Sequence, residues 1–191
     1  MLRPLRSALA RFCVRRAAAC QRHAPRRALA WVRLGCTLTP VFGEPYSALV
    51  HLSRALEDRW GAVTAAREAT VRFPDNSDAW MLVGEALQMV FRQQEALGAY
   101  EQALALEERA DAAMAAGALY HRAGQYAEAA ARFARAYAAG GGADALWQNA
   151  GALFQAGDHG AAEEALNLWA TQVPNGHDRL ADARAQLRAK A

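Results

Sequence analysis

The sequence predicts an all-α chain, an α-solenoid of about four helical hairpins closed by a C-terminal capping helix. Three observations carry this. A packing code of small and bulky residues returns every 33 or 34 positions. Alanine is abundant and proline sparse, with 6 Pro in 191 residues, a balance that suits helices. The alternating Val/Ile/Thr runs of half-buried strands are absent from the sequence.

The clearest unit runs from Trp80 to Ala103. Trp80, Val83 and Leu87 make an apolar seam at helical spacing, and Ala96, Tyr100 and Ala103 make a facing one. Gly84, Ala96 and Ala103 let two backbones approach, while Trp80 and Tyr100 fill the space between. Shifted by 33, the code returns as Gly117, Tyr120, Ala129, Phe133 and Ala136. Shifted again, it returns as Ala150, Leu153, Ala162, Leu166 and Trp169. Going back 34 from Ala96 gives Ala62, followed by Ala66 and Ala69. The order Trp80-x2-Val83-Gly84-x2-Leu87, then Ala96-x3-Tyr100-x2-Ala103, resembles the tetratricopeptide repeat (TPR), a helix pair of about 34 residues. Ala113 departs from the family's first-helix Trp, and Arg92 stands where its turn Gly is expected.

Taken in order, residues 1–42 form a basic N-terminal extension and residues 43–191 the repeat domain. In the extension Leu2, Leu5, Leu9, Phe12 and Cys13 share one side of a helical wheel, with Arg3, Arg11 and Arg15 away from it. This amphipathic, acid-free start resembles a mitochondrial presequence; the competing reading is a disordered basic tail. Residues 28–42, with Pro40, are expected as a linker or processing region. The first repeat, 43–76, is degenerate. Pro45 suits a first helical turn, Tyr46, Leu49, Leu52 and Leu56 are its stripe, and Asp58 to Gly61 its turn. Asn76 or Ser77 caps the next helix. The second and third repeats occupy about 77–109 and 110–142. Gly124 and Gly157 are placed to stop first helices in the left-handed conformation. Gly140-Gly141-Gly142 separates off the fourth repeat, 143–175. A last helix, 177–189, carries Leu180, Ala183 and Leu187 on one side, with Asp182, Arg184 and Arg188 elsewhere. It caps the array.

The formal charge of +3 averages two unlike parts. Residues 1–43 hold nine arginines and no Asp or Glu, whereas the rest holds thirteen basic residues against nineteen acidic ones. Cys13, Cys20 and Cys36 all lie in the head, so no disulfide framework or thiolate metal site is expected in the body. The longest apolar run, Ala28 to Phe42, is broken by Arg33 and falls short of the ~20 residues a membrane span needs. The three glycines are not followed by the Lys and Ser/Thr of a phosphate loop. His23, His51, His121, His159 and His177 are scattered, without metal-binding spacing or a nucleophile partner. No catalysis, metal or cofactor is expected. Asp78, Asp111 and Asp144, 33 apart, read as first-turn carboxylates at the positive ends of helices.

The TPR resemblance implies a concave surface lined by the first helix of each pair. The partner-binding candidates on it are Arg54, Met81, Glu85, Met89, Met114, Arg122, Trp147 and Phe154, apolar anchors edged by charge. The Lys/Asn/Arg clamp with which some relatives hold chaperone C-termini has no match at Ser47, His51, Met81, Glu85, Asp111 or Ala115. The function expected is non-catalytic binding of a protein or peptide segment, as adaptor, scaffold or assembly factor. A TPR-type chaperone for secreted substrates and an accessory subunit of an enzyme complex stay open. No nucleic-acid partner is expected, and the compartment is mitochondrial or cytoplasmic.

Overall fold

The second helix of every pair starts on one register. The computed structural model describes residues 2–39 and 41–190; Pro40 and the side chains of Leu2, Arg3, His177, Arg188, Ala189 and Lys190 lie outside the described residues. The chain divides into two compact units, Met1–Leu106 and Glu107–Ala191. The first holds α1 (Leu2–Cys20), α2 (Pro25–Leu38), α3 (Glu44–Ala55), α4 (Arg59–Arg72), α5 (Ser77–Met89) and α6 (Gln93–Leu106). The second holds α7 (Ala110–Arg122), α8 (Tyr126–Ala136), α9 (Gly142–Gln155), α10 (His159–Gln172) and α11 (Gly176–Lys190). Among the described residues there is no strand.

Helices α4, α6, α8 and α10 begin at 59, 93, 126 and 159. The fourth residue of each is Ala62, Ala96, Ala129 and Ala162, at most 1 % exposed. Ala66, Tyr100, Phe133 and Leu166 follow one turn later, then Ala69, Ala103, Ala136 and Trp169, all buried. The small residue admits the neighbouring helix and the residue four positions on fills the gap beside it.

The turns inside the pairs are equally regular. The amide N–H of Asp58, Arg92, Gln125 and Asp158 reaches back to the carbonyls of Ser53, Leu87, Tyr120 and Leu153 at 2.9–3.0 Å. The residue before each donor is left-handed: Glu57 (φ 59°), Phe91 (φ 61°), Gly124 (φ 76°) and Gly157 (φ 85°). This is the helix stop expected at the two glycines. The position expected at Arg92 is Phe91, one residue earlier. In the first expected repeat the turn lies at Leu56–Asp58, not Asp58–Gly61: Asp58 is the N-cap of α4, its Oδ1 accepting from Gly61 N at 2.8 Å. Asn76 caps α5 through Ala79 N at 2.9 Å.

The expectation of a linker at 28–42 is corrected. Helix α2 starts 34 residues before α4, and its Ala28, Val32 and Gly35 are buried at the spacing of Ala62, Ala66 and Ala69. It packs against α1 and α3, so a further helix pair precedes the four expected ones. Arg72 of α4 fastens its C-terminal end. That guanidinium donates to the carbonyls of Cys36, of Thr39 at 2.6 Å and of Thr37 at 3.4 Å, and to the Tyr46 hydroxyl at 3.2 Å. Phe42, Tyr46 and Phe73 cluster beside it with ring centroids 5.7–6.2 Å apart. The wheel side expected to unite Leu5, Leu9, Phe12 and Cys13 is split: Cys13 is buried and the other three are exposed.

In the second unit Asn149 is buried on α9 and donates to Ala130 O of α8 at 2.7 Å. Helix α11 buries Ala183 and Leu187 against Leu146, Leu166 and Trp169, and Arg184 pairs with Glu163 of α10 at 2.8 Å.

Candidate functional site

The candidate surface residues fall in both units. In the first, Arg54 of α3 is exposed and its Nη2 lies 3.2 Å from Nδ1 of His51. On α5 Glu85 is exposed and Met89 half-buried. Met81, expected to offer an apolar anchor beside them, is only 8 % exposed. Helices α3, α4 and α6 all pack on α5, so its buried face is wider than a single seam and takes in Met81 and Leu82. Trp80, expected inside the seam, is half-buried at its rim instead, with Nε1–H donating to Pro74 O at 2.7 Å.

In the second unit Met114 of α7 is half-buried and Arg122 exposed, its Nε–H donating to Ala118 O at 3.3 Å. Asp111 opens the same helix. It accepts from Arg109 at 2.8 and 2.9 Å and from Ala112 N at 2.8 Å. The Arg109 hydrogen bonds hold its carboxyl below the usual carboxylate range, against the opposing effect of burial. Asp78 and Asp144 likewise stand in first turns, where the helix dipole favours a carboxylate.

Trp147 and Phe154 of α9 each rest one side on the core formed with α10 and α11. They do not share one groove. Helix α11 starts where the first helix of another pair would start, and a cavity opens on either side of it. Phe154 lines one of about 300 Å³ with His159, Glu163 and Arg184. Trp147 lines a cleft of about 500 Å³ with Asp144, Trp169, Arg179, Asp182 and Gln186. The two indole rings there are 5.4 Å apart and tilted by 47°. The guanidinium of Arg179 sits 5.6 Å from the Trp169 ring centroid. Two carboxylates thus share a cleft with an aromatic pair that already faces one cation, a combination suited to a cationic side chain. Arg179 and Asp182 were not among the expected surface residues, because α11 reads in the sequence as a cap. Its start, 34 residues after that of α9, is the signal in the sequence. Among the described residues no group of His, Cys, Asp and Glu is arranged to hold a metal ion.

Helix pairs whose second helices start every 33 or 34 residues, with an alanine buried at the same place in each, define a TPR-like α-solenoid. No protein-family model matches the chain, and no curated protein matches it in sequence. Its likenesses are to solved structures. MamA superposes with a TM-score of 0.69 at 16 % identity, covering 91 % of this chain and 94 % of that one. PilF of Pseudomonas aeruginosa gives 0.68 at 16 % identity, over 96 % and 92 %. YrrB, described as a TPR protein with an unusual peptide-binding site, gives 0.64 at 20 % identity, over 91 % and 90 %. At these identities the likeness is one of fold.

Proposed function

We propose that the chain is a non-catalytic protein-binding module that takes a partner segment carrying an exposed Lys or Arg. The cleft of about 500 Å³ that Trp147 and Trp169 line together with Asp144 and Asp182 carries this reading. A cation over an indole gains about 0.5–2 kcal/mol, more as water is excluded, and a nearby carboxylate adds charge complementarity. Arg179 occupies the Trp169 face in cis, and an incoming cationic side chain exchanges with it or stacks on Trp147 beside it. Met114 and Arg122 of the same unit are further contacts of this reading; Arg54, Glu85 and Met89 of the other unit are candidate contacts in their own right, and Met81 is left to packing. The peptide-binding site for which YrrB is described supports a segment, as opposed to a folded domain, as the occupant. Fold alone names no partner.

Cross-linking of captured partners followed by mass spectrometry tests the reading. Cross-links from the α9–α11 cleft are expected to fall on Lys/Arg-containing segments. They are expected to disappear in the Asp144→Lys/Asp182→Lys variant and to weaken in Trp147→Ala. Both changes sit at half-buried or exposed positions, so helicity is expected to survive. An unchanged capture profile in both folded variants would remove the cleft from the binding surface.

A further inference from the structure

Helix α1 has two apolar faces and the fold uses one. Ala10, Cys13, Val14 and Ala17 turn inward and are buried. Leu5, Leu9 and Phe12, spaced i, i+4, i+7 on the far side, are 58 %, 44 % and 50 % exposed. The stripe continues onto α2. Trp31 meets Phe12 edge-on with centroids 6.1 Å apart, and Leu34, one turn further, is 46 % exposed. Around this patch Arg6, Arg11, Arg15 and Arg16 of α1 and Arg27 and Arg33 of α2 are exposed. The Arg16 guanidinium lies 6.0 Å from the Trp31 ring. No acidic residue occurs among residues 1–43.

An exposed, contiguous apolar patch calls for a cover, and its charge selects which. A rim of arginines without a carboxylate fits a polyanionic surface. Nucleic acid would use the arginines but has no place for Leu5, Leu9 and Leu34. A bilayer of anionic lipid uses both: aliphatic and aromatic side chains enter the boundary between headgroups and acyl chains while arginines reach the phosphates. Trp31 is at home at that depth. No described helix is long and apolar enough to cross a membrane, so the contact lies in the plane of the surface. The buried contacts of α1 and α2, and the Arg72 hydrogen bonds to the end of α2, tie this patch to the body it would tether.

We propose that the exposed face of the α1–α2 hairpin docks the protein on an anionic lipid surface, Leu5, Leu9, Phe12 and Leu34 entering it and the arginines binding headgroup phosphates. The proposal is independent of the Trp147 cleft. Vesicle flotation of the full chain tests it. Vesicles of phosphatidylcholine with phosphatidylglycerol are expected to carry the protein, phosphatidylcholine alone not, and added salt to weaken the contact. Leu9→Glu/Phe12→Glu is expected to lower the bound fraction roughly tenfold or more, with helicity retained since neither side chain belongs to the buried core. Arg6→Gln/Arg11→Gln/Arg15→Gln is expected to reduce binding to the phosphatidylcholine level. Equal binding to both vesicle types, or none, overturns the proposal, as does a folded acidic variant that binds like the parent. A parent chain that is dimeric where the acidic variant is monomeric assigns the patch to a second copy and overturns it too. So does an oligonucleotide that displaces the vesicles in proportion to charge while the acidic variant keeps binding it. Should the acidic variant not fold, the arginine variant decides alone, and unchanged flotation sinks the idea.

Discussion

The ring of Tyr100 fills the space a side chain on Gly84 would need: a Cβ built on Gly84 would lie 2.4 Å from Cε1 of that ring. The second unit repeats the relationship, with Gly117 facing Phe133 at 2.7 Å. Alanine in place of a mid-helix glycine ordinarily gains about 1 kcal/mol. Overpacking a buried site costs about 1–3 kcal/mol, and an overlap with a fixed ring belongs at the upper end. Gly84→Ala and Gly117→Ala are therefore expected to lose roughly 1–2 kcal/mol each in denaturant titrations. In a Tyr100→Leu background the Gly84→Ala penalty should largely vanish. A stabilised Gly84→Ala single variant would contradict the contact.

The left-handed turn residues offer a change of opposite sign. Phe91 holds φ 61° where the equivalent residues of the second unit are glycines, and it is 77 % exposed, so little packing rests on it. Left-handed backbone costs an L-residue about 1–2 kcal/mol. Phe91→Gly is expected to raise stability by about 1 kcal/mol after the unfolded-state entropy of glycine is deducted, read as a higher midpoint in urea. Gly124→Ala should move the midpoint down by a similar amount.

Arg72 is expected to govern the head. Removing its donors leaves the carbonyls of Cys36 and Thr39 without that partner, at about 1–3 kcal/mol for a buried group. Arg72→Met should raise amide hydrogen exchange in 25–38 while leaving 93–106 unchanged. Equal exchange in both proteins would mean that α2 stands without the clamp.

The thiol of Cys36 gives a pH dependence with a definite sign. Burial, then the Glu68 charge, push its pKa up to about 12, with Arg72 opposing. The folded state therefore keeps its proton where the unfolded chain loses it. The stability contribution is complete below the ordinary thiol value of 9.0 and disappears as pH rises from there towards about 12. Burial raises Tyr46 in the same direction, so the comparison that counts is parent against Cys36→Ala. The variant should show the shallower alkaline loss. Alkylation of native protein should spare Cys36 and Cys13, which are buried, and label half-buried Cys20 first.

Much of the array was legible because its code is local. A small residue, a bulky one four positions on and another small one three later describe one helix meeting its neighbour, and repetition multiplies a weak signal. In α2 the same code is masked. Ala28, Val32 and Gly35 keep the spacing, but Arg33 and the surrounding arginines match the composition of a targeting segment, and composition cannot tell an exposed charge beside a buried seam from a charge in a tail. Met81 and Trp80 exchanged roles for a related reason. One helix wheel assigns one buried face, whereas three neighbours on α5 bury a wider arc and leave the large indole at the rim.

The chain by itself determined the class of fold, the period and the sites of helix contact, since these depend on residue size at fixed separations along one or two helices. Which apolar side chains remain open was decided only by tertiary structure. Trp147 lines a cleft because α11 settles beside it, Met81 is enclosed because α3, α4 and α6 converge on its helix, and the head is a folded pair because α1 and α2 bury residues against each other, with Arg72, far along the chain, fastening the end of α2. Exposure is a property of neighbours distant in sequence, and no local pattern of sizes encodes it.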